Sequence, residues 1–151
     1  MSKPLRQITN FLEQRGLSPE FDLDSHTLFL ETPTADGPVQ TRFFYDLDME
    51  VLSCQCIYME SFPKERYAAM CEMINRFNEQ LGFGAFVLLE EEDLVFEINH
   101  LLEKDALMSE AILDKLSLVP AEAMAEHLPS FLEVGMNNQS PATIFDRFWE
   151  E

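Results

Sequence analysis

Two thiols stand two residues apart in Cys54-Gln55-Cys56, inside the β-forming run from Val51 to Tyr58. Side chains on a strand repeat every second residue, so both sulfurs face the same way. A tetrahedral zinc site would need two further ligands beside them. Only Cys71 and three scattered histidines, His26, His100 and His127, remain in the chain. The pair therefore reads as small apolar core residues, and an odd number of cysteines suits reduced thiols.

The carboxylates Asp46-x-Asp48-x-Glu50 begin like a calcium loop. Such a loop needs glycine at its sixth position and glutamate at its twelfth, where this chain has Val51 and Ile57. Asp22-x-Asp24 fails in the same way, with Thr27 and Pro33 at those positions. Both read as turn and strand-edge carboxylates. Gly82-Phe83-Gly84 precedes a strand, so it cannot offer helix N-terminal amides to a phosphate and reads as a helix stop followed by a turn. There is no Walker loop and no nucleophile elbow, and the histidines read as surface or half-buried groups. The residues thus nominate no catalytic, cofactor-binding or metal site, and a non-enzymatic protein is expected.

Among 151 residues, 10 Lys plus Arg stand against 28 Asp plus Glu, a net charge of −18. Phosphate backbones and anionic bilayers are recognised by cations, so neither nucleic acid nor membrane is an expected partner. The opening residues show no apolar stretch of signal-peptide type, and no run approaches the roughly 18 apolar residues of a membrane span. A cytoplasmic location is expected. The length suits one domain, and 46% apolar residues are enough for a core.

The elements that would position these groups follow from periodicity. Residues 4–15 read as a helix, with Leu5, Ile8, Phe11 and Leu12 on one face and Gly16 as its stop. Thr27–Glu31 is a short strand, and residues 33–38, with two prolines around Asp36-Gly37, are a turn. Val39–Leu47 alternates, placing Val39, Thr41, Phe43, Tyr45 and Leu47 together. Val51–Tyr58 is the next strand, completing an antiparallel meander. A second helix runs over 63–81, with Asn75 and Asn78 three apart on one face. An amide there is suited to satisfying backbone groups at the end of a neighbouring strand. Ala85–Glu90 and Leu94–Leu101 form a hairpin around the acidic tip Glu91-Glu92-Asp93. Ser109 caps a short helix to about 117, Pro120 restarts a longer one, and Pro129 should kink it. Ser140-Pro141 opens a last helix carrying Ile144, Phe145, Phe148 and Trp149.

The expected architecture is an α+β two-layer sandwich over residues 1–134, followed by a C-terminal tail, 135–151, with a short amphipathic helix. Its antiparallel five-stranded sheet and helices come in the order α-β-β-β-α-β-β-α. Helices cover one side of the sheet. The other side, to which Phe44, Leu52, Cys54, Cys56 and Tyr58 are assigned, is left partly apolar and invites pairing with a second copy. Phe145, Phe148 and Trp149 either dock onto their own domain or meet a partner. Phe44, Leu52, Tyr58 and these three aromatics are the candidate partner-binding residues.

This element order resembles that of the YbjN-like family, as do Ile74-Asn75-Arg76-Phe77-Asn78, Gly84-Ala85-Phe86-Val87-Leu88 and Leu94-Val95-Phe96-Glu97-Ile98. The resemblance covers roughly residues 5–134, and the Asn-x-x-Asn before the strand pair is its most telling part. It implies the fold of type III secretion chaperones, bacterial proteins that are small, acidic and dimeric and hold a client polypeptide, with no catalytic residues to transfer. Pro129 and the aromatic tail depart from that pattern. The leading expectation is a homodimeric interaction module, chaperone-like or regulatory, that binds a partner polypeptide. The alternative is a small-molecule-binding sensory domain with a pocket lined by Met70, Met73, Phe86 and Phe96 between sheet and helices.

Overall fold

The structure is a computed structural model that describes residues 1–90 and 93–149, with only the backbone at 148 and 149. Helix α1 spans Lys3–Gln14; the Ser2 hydroxyl accepts the Leu5 N–H at its start, and Gly16 closes its end at φ 77°. Its buried residues are Pro4, Leu5, Ile8, Phe11 and Leu12, the stripe that the spacing requires.

The sheet has six strands, one more than the periodicity indicates. They are β1 (Glu20–Asp22), β2 (Thr27–Thr34), β3 (Gly37–Asp46), β4 (Val51–Tyr58), β5 (Ala85–Leu89) and β6 (Asp93–Leu101). All neighbours are antiparallel, in the order β1-β2-β3-β4-β6-β5. The additional strand, β1, is three residues long, too short to show alternation, and exists because it lies against Thr27–Phe29. The turn expected over 33–38 narrows to Ala35-Asp36, and both prolines enter the hairpin opposite each other. Proline is tolerated there because β1 reaches only as far as Phe29, leaving Pro33 at the sheet's edge, and β4 pairs with β3 only from Val39 onward, leaving Pro38 beyond it.

After a 3-10 turn at Lys64–Arg66, α2 runs over Tyr67–Asn78. Helix α3 spans Glu110–Gly135, 26 residues without a break at Pro120 or Pro129, where two separate helices were expected. Each proline removes one backbone donor and locally costs about 3 kcal/mol. Burial of Leu116, Met124, Leu128, Phe131 and Val134 on one flank supplies what propensity lacks. Helix α4, Pro141–Trp149, begins as anticipated, with the Ser140 hydroxyl accepting the Thr143 N–H.

The buried side chains of all four helices join those of one sheet face in a single apolar cluster. That face consists of Leu28 and Leu30, Val39 and Phe43, Leu52, Cys54, Cys56 and Tyr58, Phe86, then Leu94, Phe96 and Ile98. The α+β two-layer arrangement thus stands, with helices on one side of an open sheet. The element order is α-β-β-β-β-α-β-β-α-α.

Candidate interaction surface

The four-residue turn between β3 and β4 pairs Asp46 with Val51, so odd-numbered residues of β3 face even-numbered residues of β4. Phe43 therefore stands beside Cys54, and Tyr45 beside Leu52. This corrects the assignment of Leu52, Cys54, Cys56 and Tyr58 to the uncovered side. All four lie beneath the helices and are buried, Leu52 at 0% and Tyr58 at 3% exposure. Phe44 does face the helix-free side, where it is half-buried opposite Ser53.

The helix-free side combines apolar residues with a polar ladder. Phe29, Phe44, Val51 and Val87 are half-buried on it, whereas Ile57 and Val95, which pair with each other, are buried, at 6% and 0% exposure. Between them, Gln55 Nε2 donates to Glu97 at 3.2 Å and the Ser53 hydroxyl to Asn99 Oδ1 at 2.7 Å. Arg42 donates to Gln40 at 2.9 Å, its guanidinium carbon 5.7 Å from the Phe29 ring centre. Sequence reasoning missed Val51 as a member of this face because β4 carries only one large polar side chain, Gln55, and alternates weakly; Phe29 and Val95 are apolar residues in the otherwise more polar rows of β2 and β6.

Phe145 packs inward. It is 8% exposed, its ring centre is 5.5 Å from that of Phe77, and the Arg76 guanidinium carbon lies 5.5 Å from its centre. Of the two alternatives for the terminal aromatics, Phe145 takes docking onto its own domain. The side chains of Phe148 and Trp149 lie outside the described residues, as do Glu91 and Glu92 of the acidic tip.

The sequence profile of the YbjN family, described as a putative bacterial sensory transduction regulator, matches residues 4–131. The chain belongs to the YbjN family. It is also similar to the crystal structure of YbjN, a putative transcription regulator from E. coli, at 13% identity and a TM-score of 0.48, over 82% of this chain and 90% of that one. A comparison with curated proteins finds no match.

In this YbjN-family chain the groups that first suggested chemistry are tied into the fold. Burial pushes the Cys56 thiol up to about 12 and raises that of Cys54 as well, so both stay protonated. His127 lies edge-on to Phe77, ring centres 4.7 Å apart, and its Nδ1 is 2.9 Å from the Ala123 carbonyl oxygen. Met70, Met73, Phe86 and Phe96, the lining anticipated for a pocket, are closed core at 0–1% exposure. A cavity of about 460 Å³ occurs elsewhere, between the end of the β2–β3 hairpin and α3. Leu17, Leu30, Ala121 and Ala125 line it together with Ser117, a buried residue whose hydroxyl has no hydrogen-bond partner. No helix among the described residues is long and apolar enough to cross a membrane.

Proposed function

We propose that this chain is a non-enzymatic, cytoplasmic regulatory module that works by binding a partner polypeptide and pairs with a second copy through the helix-free side of its sheet. One observation carries this reading: every described helix packs on the same face, leaving Phe29, Phe44, Val51 and Val87 without a covering layer. Partly apolar sheet faces are places where chains associate. The family's regulatory description agrees with a protein that acts through contacts rather than turnover. Light scattering at micromolar concentration tests the pairing. A dimer mass that falls to the monomer in Phe44→Arg is expected; a monomeric wild-type protein overturns self-association. Mass spectrometry of copurifying proteins tests the client, and recovery of this chain alone from its native cell overturns that part.

A second reading, a small-molecule sensor, is favoured by the cavity beside Ser117. Its volume lies within the range of ligand sites, and Leu17, Leu30, Leu118, Ala121 and Ala125 give it the apolar lining common to them. A metabolite that raises the melting temperature of the wild type, but not of a cavity-filling Ala121→Phe variant, would establish it.

A further inference from the structure

Two turns at one end of the sheet are built alike. Asp22-Leu23-Asp24-Ser25-His26 joins β1 to β2, and Asp46-Leu47-Asp48-Met49-Glu50 joins β3 to β4. In each, the first aspartate accepts the backbone N–H two residues on, at 3.0 Å, and the fifth residue is left-handed, at φ 51° for His26 and 53° for Glu50. That construction explains the leading aspartate. Nothing in it calls for an apolar second residue. Yet both turns place leucine there, Leu23 at 73% and Leu47 at 62% exposure.

More apolar side chains gather at the same end. Met49 lies in the second turn, and Leu101 ends β6 opposite Val51, the first residue after that turn. Leu107 follows in the next loop, which is held at Glu50 by the Leu102 N–H and to α1 by Gln7. These five are the most exposed large apolar side chains among the described residues, at 62–80%. Most of the surface of such residues is normally buried, so their concentration at one end marks a contact site.

The charge around them selects the occupant. Asp22 and Asp24 flank Leu23; Asp46, Asp48 and Glu50 alternate with Leu47 and Met49; Glu103 and Asp105 follow Leu101. The cation in these three segments is Lys104. A second copy would bring its own carboxylates against these, and an anionic bilayer would be repelled. From β2 to β6 is three strand spacings, about 14 Å, the length of roughly nine to ten helical residues.

We infer that this end of the sheet docks an amphipathic helix of a partner protein, its apolar stripe seated on Leu23, Leu47, Met49 and Leu101 and its flanks carrying Lys or Arg. The inference rests on the reading of the chain as an interaction module and assigns that module a partner-binding surface centred on the turns, which adjoins the sheet face at Leu101 beside Val51. Met and Leu are side chains that adapt to such a stripe.

The test uses a synthetic 14-residue Lys/Leu peptide with one apolar stripe, a permuted peptide of the same composition, and phosphatidylcholine vesicles with and without phosphatidylglycerol. Binding to the full chain is followed by fluorescence anisotropy. The striped peptide should bind at least tenfold more tightly than the permuted one, and the preference should disappear in Leu23→Ser/Leu47→Ser with the melting temperature unchanged. Leu101→Ser/Leu107→Ser provides a second, independent loss. Equal binding of the two peptides, undiminished binding by both variants, or preference for vesicles overturns the inference. So does a solution mass that halves in Leu23→Ser/Leu47→Ser, since the occupant would then be a second copy. Normal peptide binding by the leucine variants, with self-association lost in Phe44→Arg, would sink this surface while leaving the interaction reading standing.

Discussion

Asn78 holds the backbone of Phe86 with both ends of its side-chain amide: Oδ1 accepts the Phe86 N–H at 2.8 Å and Nδ2 donates to the Phe86 carbonyl at 3.0 Å. Strand β5 is an edge of the sheet, and the amide occupies backbone groups that a neighbouring strand would otherwise use. The edge is thereby blocked at its second residue. Asn75, its partner in the Asn-x-x-Asn pattern, is exposed.

Removing the clamp leaves a donor and an acceptor at Phe86 without their protein partner. Asn78→Ala should destabilise the fold by about 1–3 kcal/mol, read as a shift in the urea midpoint. Amide exchange in β5 should accelerate with it. Asn75→Ala should stay within about 0.5 kcal/mol. Equal effects of the two substitutions would show that the clamp contributes nothing.

Gly135 ends α3 against the Phe62 ring. A Cβ built there would lie 2.2 Å from Phe62 Cδ1 and 2.9 Å from the Met70 sulfur. Gly135→Ala is therefore expected to destabilise by about 1–3 kcal/mol through overpacking, against the usual gain of alanine in a helix. A Phe62→Leu background, which withdraws the ring, should relieve much of the loss. Thermal melts of the two single variants and the double variant measure this coupling.

Burial, reinforced by the carboxylates of Glu50 and Asp105, holds the Tyr45 phenol above its ordinary range; burial and Glu60 do the same for Tyr58. The folded state thus prefers the neutral phenols, and the unfolded chain ionises first. Their contribution is whole below the pH at which free tyrosine ionises, about 10, and is lost as pH rises through that value and beyond. Urea midpoints should fall above that pH, less steeply in Tyr58→Phe than in the wild type. A flat profile would contradict the shifts.

Cys54 and Cys56 are fully buried with raised thiol pKa values, whereas Cys71 is half-buried on α2. Thiolate is the reactive form. A thiol reagent should therefore label Cys71 in the native protein and reach the other two only in denaturant. Mass spectrometry after a timed pulse distinguishes the three sites, and rapid native labelling of Cys54 would be inconsistent with this packing.

Wherever one face of an element is buried and the other wet, the sequence by itself determined the outcome. The stripe of α1 and the alternation of Val39, Thr41, Phe43 and Tyr45 are written in periods of 3.6 and 2, because burial selects residue type by face. The cap at Ser140 and the stop at Gly16 were equally legible, since both answer local backbone needs. Tertiary structure decided what local rules leave open. Val51–Tyr58 is apolar or small on both sides apart from Gln55, so the turn at 47–50 set which of its residues faced the helices. Packing against the sheet and its neighbouring helices carried α3 through two prolines, and pairing with β2 made a strand of three residues. Leu47 was expected beside Tyr45 on the strand face, but β3 ends at Asp46 and leaves it in an exposed turn matching the one that carries Leu23, because exposure belongs to the assembled surface and not to the residue.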